Sequence, residues 1–210
     1  MCIRDRYTGI VTCFAALGAI SEPFQIDRLA AICIIYFLAL GVGAHLLDAV
    51  GGKTKPWGDL PKRKLWSAAL GALAIAFSIG IYYAFLDSPL LFPIGIIEGF
   101  FLFAYNLELF RGRFHNKPST VFSWGVLPVF AGSAIQTNSI SLETIAIAGI
   151  TASITYILVI TSRQYKVLIK NDDGEHMPQI KKKEIVLKLL SYGVVIGTVS
   201  FFVIRYYNLV

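Results

Sequence analysis

Two short polar stretches in an apolar chain of 210 residues hold the residue types that handle phosphate. In the first, His45, Asp48 and Gly52 fall at i, i+3 and i+7 of a helix end and so share one face. A basic loop follows them, with Lys53, Lys55, Lys62, Arg63 and Lys64 around Pro56 and Pro61. The second stretch runs Ser162, Arg163, Gln164, Tyr165, Lys166 and on to Asp172 and Asp173. Carboxylates beside several cations suit a phosphorylated ligand: the carboxylates hold Mg²⁺, and Lys or Arg neutralises the remaining phosphate oxygens. The same residues also fit a plainer account, in which the helix-end aspartates are capped locally and the cations anchor to lipid headgroups.

The elements that must carry these stretches follow from composition. Hydrophobic residues make up 56% of the chain and charged ones 15%, against roughly 25% charged in soluble domains. Mean hydropathy is +0.66. The charges cluster between apolar runs, several of which reach the roughly 20 residues that a helix needs to cross a hydrocarbon core of about 30 Å. Such runs are too long for barrel strands, so the fold class is an all-α, polytopic transmembrane bundle. The spacing predicts about seven spans, roughly 7–20, 29–50, 65–86, 89–107, 120–136, 142–161 and 185–204. Asp87, Ser88 and Pro89 form a turn that splits one long apolar stretch, because proline cannot continue a helix interior. Gln136, Thr137, Asn138 and Ser139 make a second such turn. Residues 7–210 read as one transmembrane domain. Residues 1–6 read as a non-native or disordered start, the first span as truncated, and two C-terminal spans as missing.

Net charge is +6. Nucleic acid is not the expected partner, since no aromatic-basic recognition module accompanies the cations. The charge reads instead as topology. All of the 19 Lys and Arg except Arg28, Lys188 and Arg205 fall in four segments, 1–6, 51–64, 108–118 and 162–184. With seven spans these segments share one side, and the positive-inside bias makes that side cytoplasmic. The expected location is the cell membrane, with the N-terminus and both polar stretches in the cytoplasm and Tyr206 and Tyr207 at the far interface. Cys2, Cys13 and Cys33 have no disulfide or metal spacing and read as packing residues.

On these residues the chain resembles the UbiA superfamily of intramembrane prenyltransferases. That family carries two aspartate-rich motifs, at its second-to-third and sixth-to-seventh span connections. Ala44, His45, Asp48 and Gly52 align with the first motif, and Ser162, Tyr165, Ile169, Asp172 and Asp173 fit part of the second. Tyr105, Asn106, Gly125, Pro128, Gly132 and Gln136–Ile140 resemble the intervening region of quinone-pathway members. The resemblance covers roughly residues 25–200. His45, Gly52, Ser162 and Ile169 stand where the family has carboxylates. The resemblance implies transfer of a polyprenyl group from its diphosphate to a lipophilic or aromatic acceptor, with Mg²⁺ as cofactor. It implies Asp48, Asp172 and Asp173 as metal ligands, with Asp48 and Asp173 catalytic. His45, Lys53, Lys55, Arg63, Tyr105, Asn106, Arg163 and Tyr165 then contact substrate.

Further candidates lie between the motifs. Glu98 sits mid-span, where an ionisable group is costly and marks function by default; it orients an acceptor or acts as a base, or is protonated or paired within the bundle. Asn106, Glu108, Arg111 and Arg113 line the same basin, or form a solvated Glu–Arg pair at i, i+3. Gly125, Pro128 and Gly132 kink or closely pack their helix. Phe100, Phe101 and Phe103 line a prenyl tunnel or face lipid. Two rivals stand beside the transferase: an inactive relative binding isoprenoid lipid or a protein partner, and a small transporter, for which no repeated broken helix is evident.

Overall fold

The computed structural model describes residues 3–50, 60–170 and 176–207. Among the described residues the chain is helical throughout, without strands. Its helices are α1 (Ile3–Ser21), α2 (Ile26–Val50), α3 (Lys62–Leu86), α4 (Leu91–Asn106), α5 (Lys117–Thr137), α6 (Leu142–Lys170) and α7 (Met177–Tyr207). Each stretch expected as a span coincides with one of them. Five, namely α2, α3, α5, α6 and α7, are long and apolar enough to cross a membrane. The apolar part of α1 (Tyr7–Ser21) and α4 are shorter; the 16 residues of α4 rise only about 24 Å at 1.5 Å each. These features are compatible with an integral membrane protein.

The short first helix lies at the centre. Phe14, Ala15 and Ala19 of α1 have no exposed surface, and α2, α5, α6 and α7 all pack against it. Of the most apolar stretch of α5, 56% is buried inside the bundle, against 11% for α7, so α5 is interior and α7 peripheral. Small residues let α1 and α5 touch backbone to backbone. A methyl group on Gly132 would lie 2.0 Å from the Ala15 carbonyl oxygen, and one on Gly18 would lie 2.0 Å from that of Val129. Pro128, between them in the contact, has no N–H to donate one turn back. The helix is widened to π geometry over Phe122–Val126, immediately before it. There the Thr151 hydroxyl of α6 donates to the Gly125 carbonyl at 2.6 Å. Close packing, one of the two roles expected of Gly125, Pro128 and Gly132, thus occurs together with a widened turn.

One end of the bundle is tied by polar bonds. Arg28 of α2 donates to both carboxylate oxygens of Asp87, at 2.9 and 2.5 Å, to the Ile135 carbonyl at 2.6 Å and to Gln25 at 3.1 Å. The Gln136 side-chain amide accepts the Gln25 backbone N–H and donates to the Gln25 carbonyl, and Asn138, in a left-handed conformation (φ 51°), accepts the Leu90 N–H. Glu22 accepts the hydroxyls of Ser133 and Thr144, while Arg205 of α7 donates to the carbonyls of Ile20, Ser21 and Glu22. Asp87–Pro89 and Gln136–Ser139, expected merely as turns, are therefore the tie points of this end.

Hydrogen bonds from Arg28 hold the Asp87 carboxyl below its ordinary value. Burial pushes Glu22 up, but hydroxyl donors from Ser141, Thr144 and Ser133 outweigh it and leave a net lowering. The stability conferred by two lowered carboxyls is complete above their unfolded values near pH 4. It is lost as pH falls through their folded values. Acid titration of detergent-solubilised protein should therefore show a fall in the unfolding midpoint below about pH 4, and Asp87→Asn should reduce that fall; an unchanged acid profile in the variant counts against the tie. Separately, Gly132→Val should destabilise by about 1–3 kcal/mol through overpacking. Gly149→Val, where a Cβ meets nothing within 4 Å, should leave the unfolding midpoint unmoved.

Candidate functional site

At the opposite end the helix ends diverge around a cavity. Residues Phe37–Ala44 of α2 form a second π segment, after which His45–Val50 resumes α geometry. The His45 ring turns back so that Nδ1 lies 2.8 Å from the Leu40 carbonyl. A carbonyl only accepts, so Nδ1 is the protonated nitrogen. Asp48 stands one turn further on. On α4, the Asn106 amide donates to the Leu102 carbonyl at 2.7 Å, and the chain then leaves the helix. Glu108, Phe110 and Arg111 are left-handed (φ 51°, 56° and 60°), as is Gly112 (φ 72°). This strained turn places His115 against Tyr105, with ring centroids 4.2 Å apart and the planes nearly parallel. Trp124 of α5 completes an aromatic wall, 5.5 Å from Tyr105 and 5.3 Å from Tyr7 of α1. Asn116 caps α5 by accepting the Ser119 N–H at 2.8 Å.

The cavity so formed, about 400 Å³, is lined by His45 and Asp48 from α2, Tyr105 and Asn106 from α4, Glu108 and His115 from the turn, and Ser162, Arg163 and Lys166 from α6. A second, apolar cavity of about 120 Å³ lies beside it, deeper in the bundle, among Ile32, Tyr36, Phe77, Ile94, Glu98, Phe101 and Leu102. The two share Leu40, Ala44, Tyr105, Asn106 and Trp124 in their walls. Together they make a polar vestibule over an apolar chamber. Such a shape accepts an amphiphile, with a charged head among Asp48, Arg163 and Lys166 and an uncharged body below.

Of the residues singled out in sequence, the vestibule brings together His45, Asp48, Tyr105, Asn106 and Arg163. Arg63 is exposed at the start of α3 and does not line it. Tyr165 points elsewhere and packs on the cluster around Ile10 and Phe14. Lys53, Lys55, Asp172 and Asp173 lie outside the described residues, as does Gly52. Glu108 lines the vestibule but Arg111 and Arg113 do not. The helical i, i+3 relation expected of Glu108 and Arg111 does not apply, because both are left-handed. Phe101 lines the chamber, whereas the exposed Phe100 meets Phe114 edge to face and Phe103 packs against the cluster that includes Leu65 and Ala69 of α3. Tyr7, Thr8, His115, Thr120 and Trp124 were not anticipated. His115 alone left a trace in sequence, as a titratable residue in a basic connection.

Among the described residues no three His, Cys, Asp or Glu side chains gather as a metal cluster. Asp48 and Glu108 both line the vestibule, and Mg²⁺ commonly takes one or two protein carboxylates when phosphate and water complete its shell. No family model, curated protein or solved structure matches the chain.

The open and tied ends predict opposite accessibility. With the native cysteines replaced, Asp48→Cys and Arg163→Cys, at vestibule positions that are not buried, should react readily with a charged methanethiosulfonate reagent. Ser88→Cys and Ser133→Cys, at positions with no exposed surface, should resist it. Equal reaction at all four would contradict a water-filled vestibule.

Proposed function

We propose that the chain is a UbiA-like intramembrane prenyltransferase, moving a polyprenyl group from its diphosphate to a lipophilic or aromatic acceptor. The observation that carries this reading is the apolar chamber opening into a vestibule edged by Asp48, Asn106, Arg163 and Lys166. Diphosphate binds in the vestibule and the hydrocarbon lies lower. Arg163 and Lys166 neutralise phosphate oxygens through charge-assisted hydrogen bonds. Asp48 and Glu108, which both line the vestibule, would hold Mg²⁺, and the ion would supply neutralisation of the charge on the departing group. Tyr105 and Trp124 offer ring faces where positive charge develops on the allylic carbon. Lys53, Lys55, Asp172 and Asp173 belong to the segments that border this end in sequence, and in this reading they complete the cation and metal shell.

In the same reading the chain crosses the cell membrane seven times, α1 and α4 included, with the vestibule facing the cytoplasm. The distribution of cations supports that orientation. Lys62–Lys64, Arg111–Lys117 and Arg163–Lys170 all lie at the vestibule end of their helices. The exceptions at the tied end, Arg28 and Arg205, are engaged by Asp87 and by backbone carbonyls. A second reading, a relative that binds isoprenoid lipid without turnover, draws support from His45 and Ser162, which line the vestibule where the family has carboxylates.

Binding of a labelled prenyl diphosphate with and without Mg²⁺ tests the assignment. Asp48→Ala and Asp173→Ala should each weaken Mg²⁺-dependent binding by about tenfold or more, the worth of a charge-assisted contact. Unchanged binding in both variants removes the site. Release of diphosphate in the presence of an acceptor separates the transferase from the non-catalytic relative.

A further inference from the structure

Glu22 follows the last residue of α1 and is buried, with 7% of its surface exposed. Among the described residues no cationic side chain pairs with its carboxylate. Arg205 reaches the same stretch, but its guanidinium is directed at the carbonyls of Ile20, Ser21 and Glu22. Hydroxyls surround the carboxylate instead. Glu22 Oε1 lies 2.8 Å from Thr144 Oγ1 and 3.1 Å from Ser133 Oγ, and those two oxygens are 3.1 Å from each other. Ser133 Oγ is also 2.8 Å from the Ser139 carbonyl oxygen, and Thr144 Oγ1 is 2.9 Å from Ser141 Oγ. Ser133 and Thr144 have no exposed surface.

These five oxygen pairs all stand at hydrogen-bond distance. A carboxylate and a carbonyl bring no proton, however, and each hydroxyl brings only one. The hydroxyls of Ser133, Ser141 and Thr144 therefore supply three protons for five pairs. Ser21 does not make up the shortfall, because its hydroxyl, 3.5 Å from Thr144 Oγ1, donates to the Gly18 carbonyl. The Thr144 N–H is taken by Ser141 Oγ. Whichever way the hydroxyls turn, two pairs bring bare lone pairs together. Arg28, Gln136 and Asn138 are saturated by donors and acceptors in balance; the corner around Glu22 has an excess of oxygen. Hard cations take such oxygens as ligands. With a single carboxylate, a monovalent ion leaves the corner neutral, whereas a divalent one leaves a net charge in an apolar bundle, which is costly. Oxygens this close suit the smaller alkali ion, since a larger one must spread them against the tight contact of α1 with α5. We propose that Na⁺ binds here, held by the Glu22 carboxylate, the Ser133 and Thr144 hydroxyls and the Ser139 carbonyl, and that it locks α1, α5 and α6 together. Each hydroxyl then turns a lone pair inward, and the bare oxygen pairs share a cation. The site lies at the end opposite the vestibule and does not rest on the proposed function.

Thermal unfolding of the detergent-solubilised chain, with choline chloride replaced stepwise by NaCl, tests the site alongside equilibrium binding of radiolabelled Na⁺. Holding ionic strength fixed keeps the screening of the Arg28–Asp87 pair constant. The wild-type midpoint should rise saturably by roughly 2–5 °C, with about one Na⁺ bound per chain. KCl should raise it less. Glu22→Gln and Thr144→Val should each weaken Na⁺ binding at least about tenfold. Thr144→Ser keeps the hydroxyl, so it should retain binding and guards against misfolding. A midpoint indifferent to the exchange of choline for sodium, the outcome if water or a carboxyl proton completes the cluster, would overturn the inference. So would an undiminished sodium response in Thr144→Val, or an equal response to KCl. Asp48→Ala should bind Na⁺ as the wild type does while losing prenyl diphosphate. A chain that binds Na⁺ but ignores prenyl diphosphate would refute the transferase reading and keep the sodium site.

Discussion

Helices in lipid gain little from the hydrophobic effect when they meet, since hydrocarbon tails are as apolar as their side chains. Association must come from close contact, and in this chain the closest is between α1 and α5. Gly18 and Gly132 bring the two backbones within van der Waals reach of each other's carbonyls. Around this pair α2, α6 and α7 find their places against α1. The contact also fixes both ends of the molecule, because α1 carries Tyr7 and Thr8 into the vestibule wall and Ser21, with Glu22 just after it, into the opposite polar knot. The short first helix is the axis on which the bundle is assembled.

The two ends then use polar groups in opposite ways. At the tied end Arg28 alone reaches a carboxylate, a carbonyl and an amide, and Ser88, Gln136 and Asn138 each have a partner on another helix. Polar groups saturated in this way hold helices together and leave nothing for a ligand. At the open end, charged and hydrogen-bonding side chains from five helices and one strained turn face a shared space. The left-handed residues between Glu108 and Gly112 belong to that end, and backbone strain of this kind persists only where surrounding structure over-determines it.

Most of the architecture was legible because apolar run length and the clustering of Lys and Arg report directly on helices and their ends. The turns at Asp87 and Gln136 were marked by the residues that break helices, and Gly125, Pro128 and Gly132 announced close packing by their size. The site was legible only in part. His45, Asp48 and Arg163 stood out by type beside a helix end, yet Trp124, Thr8 and Tyr7 are ordinary membrane-helix residues, and only the crossing of α1 with α5 gives them a common cavity. Tyr165 looked like its neighbour Arg163 by type, but two positions turn a helix by about 200°, so it faces the core of the bundle. The pairing of Tyr36 with Glu98 joins residues 62 apart in sequence, and no local pattern encodes it.

The π segment in α2 has a consequence for how this helix can change. An uninterrupted α-helix advances about 100° per residue, so Tyr36 and His45, nine positions apart, would fall on opposite sides. Both line the connected cavities, because the wider turns of Phe37–Ala44 take up the excess rotation. That segment acts as a phase shifter between the floor of the chamber and its rim. A point substitution there alters one side chain, whereas losing or gaining a single residue would swing His45 and Asp48 away from the opening as a unit. The number of residues between Tyr36 and His45 is thus as much a part of the site as their identities.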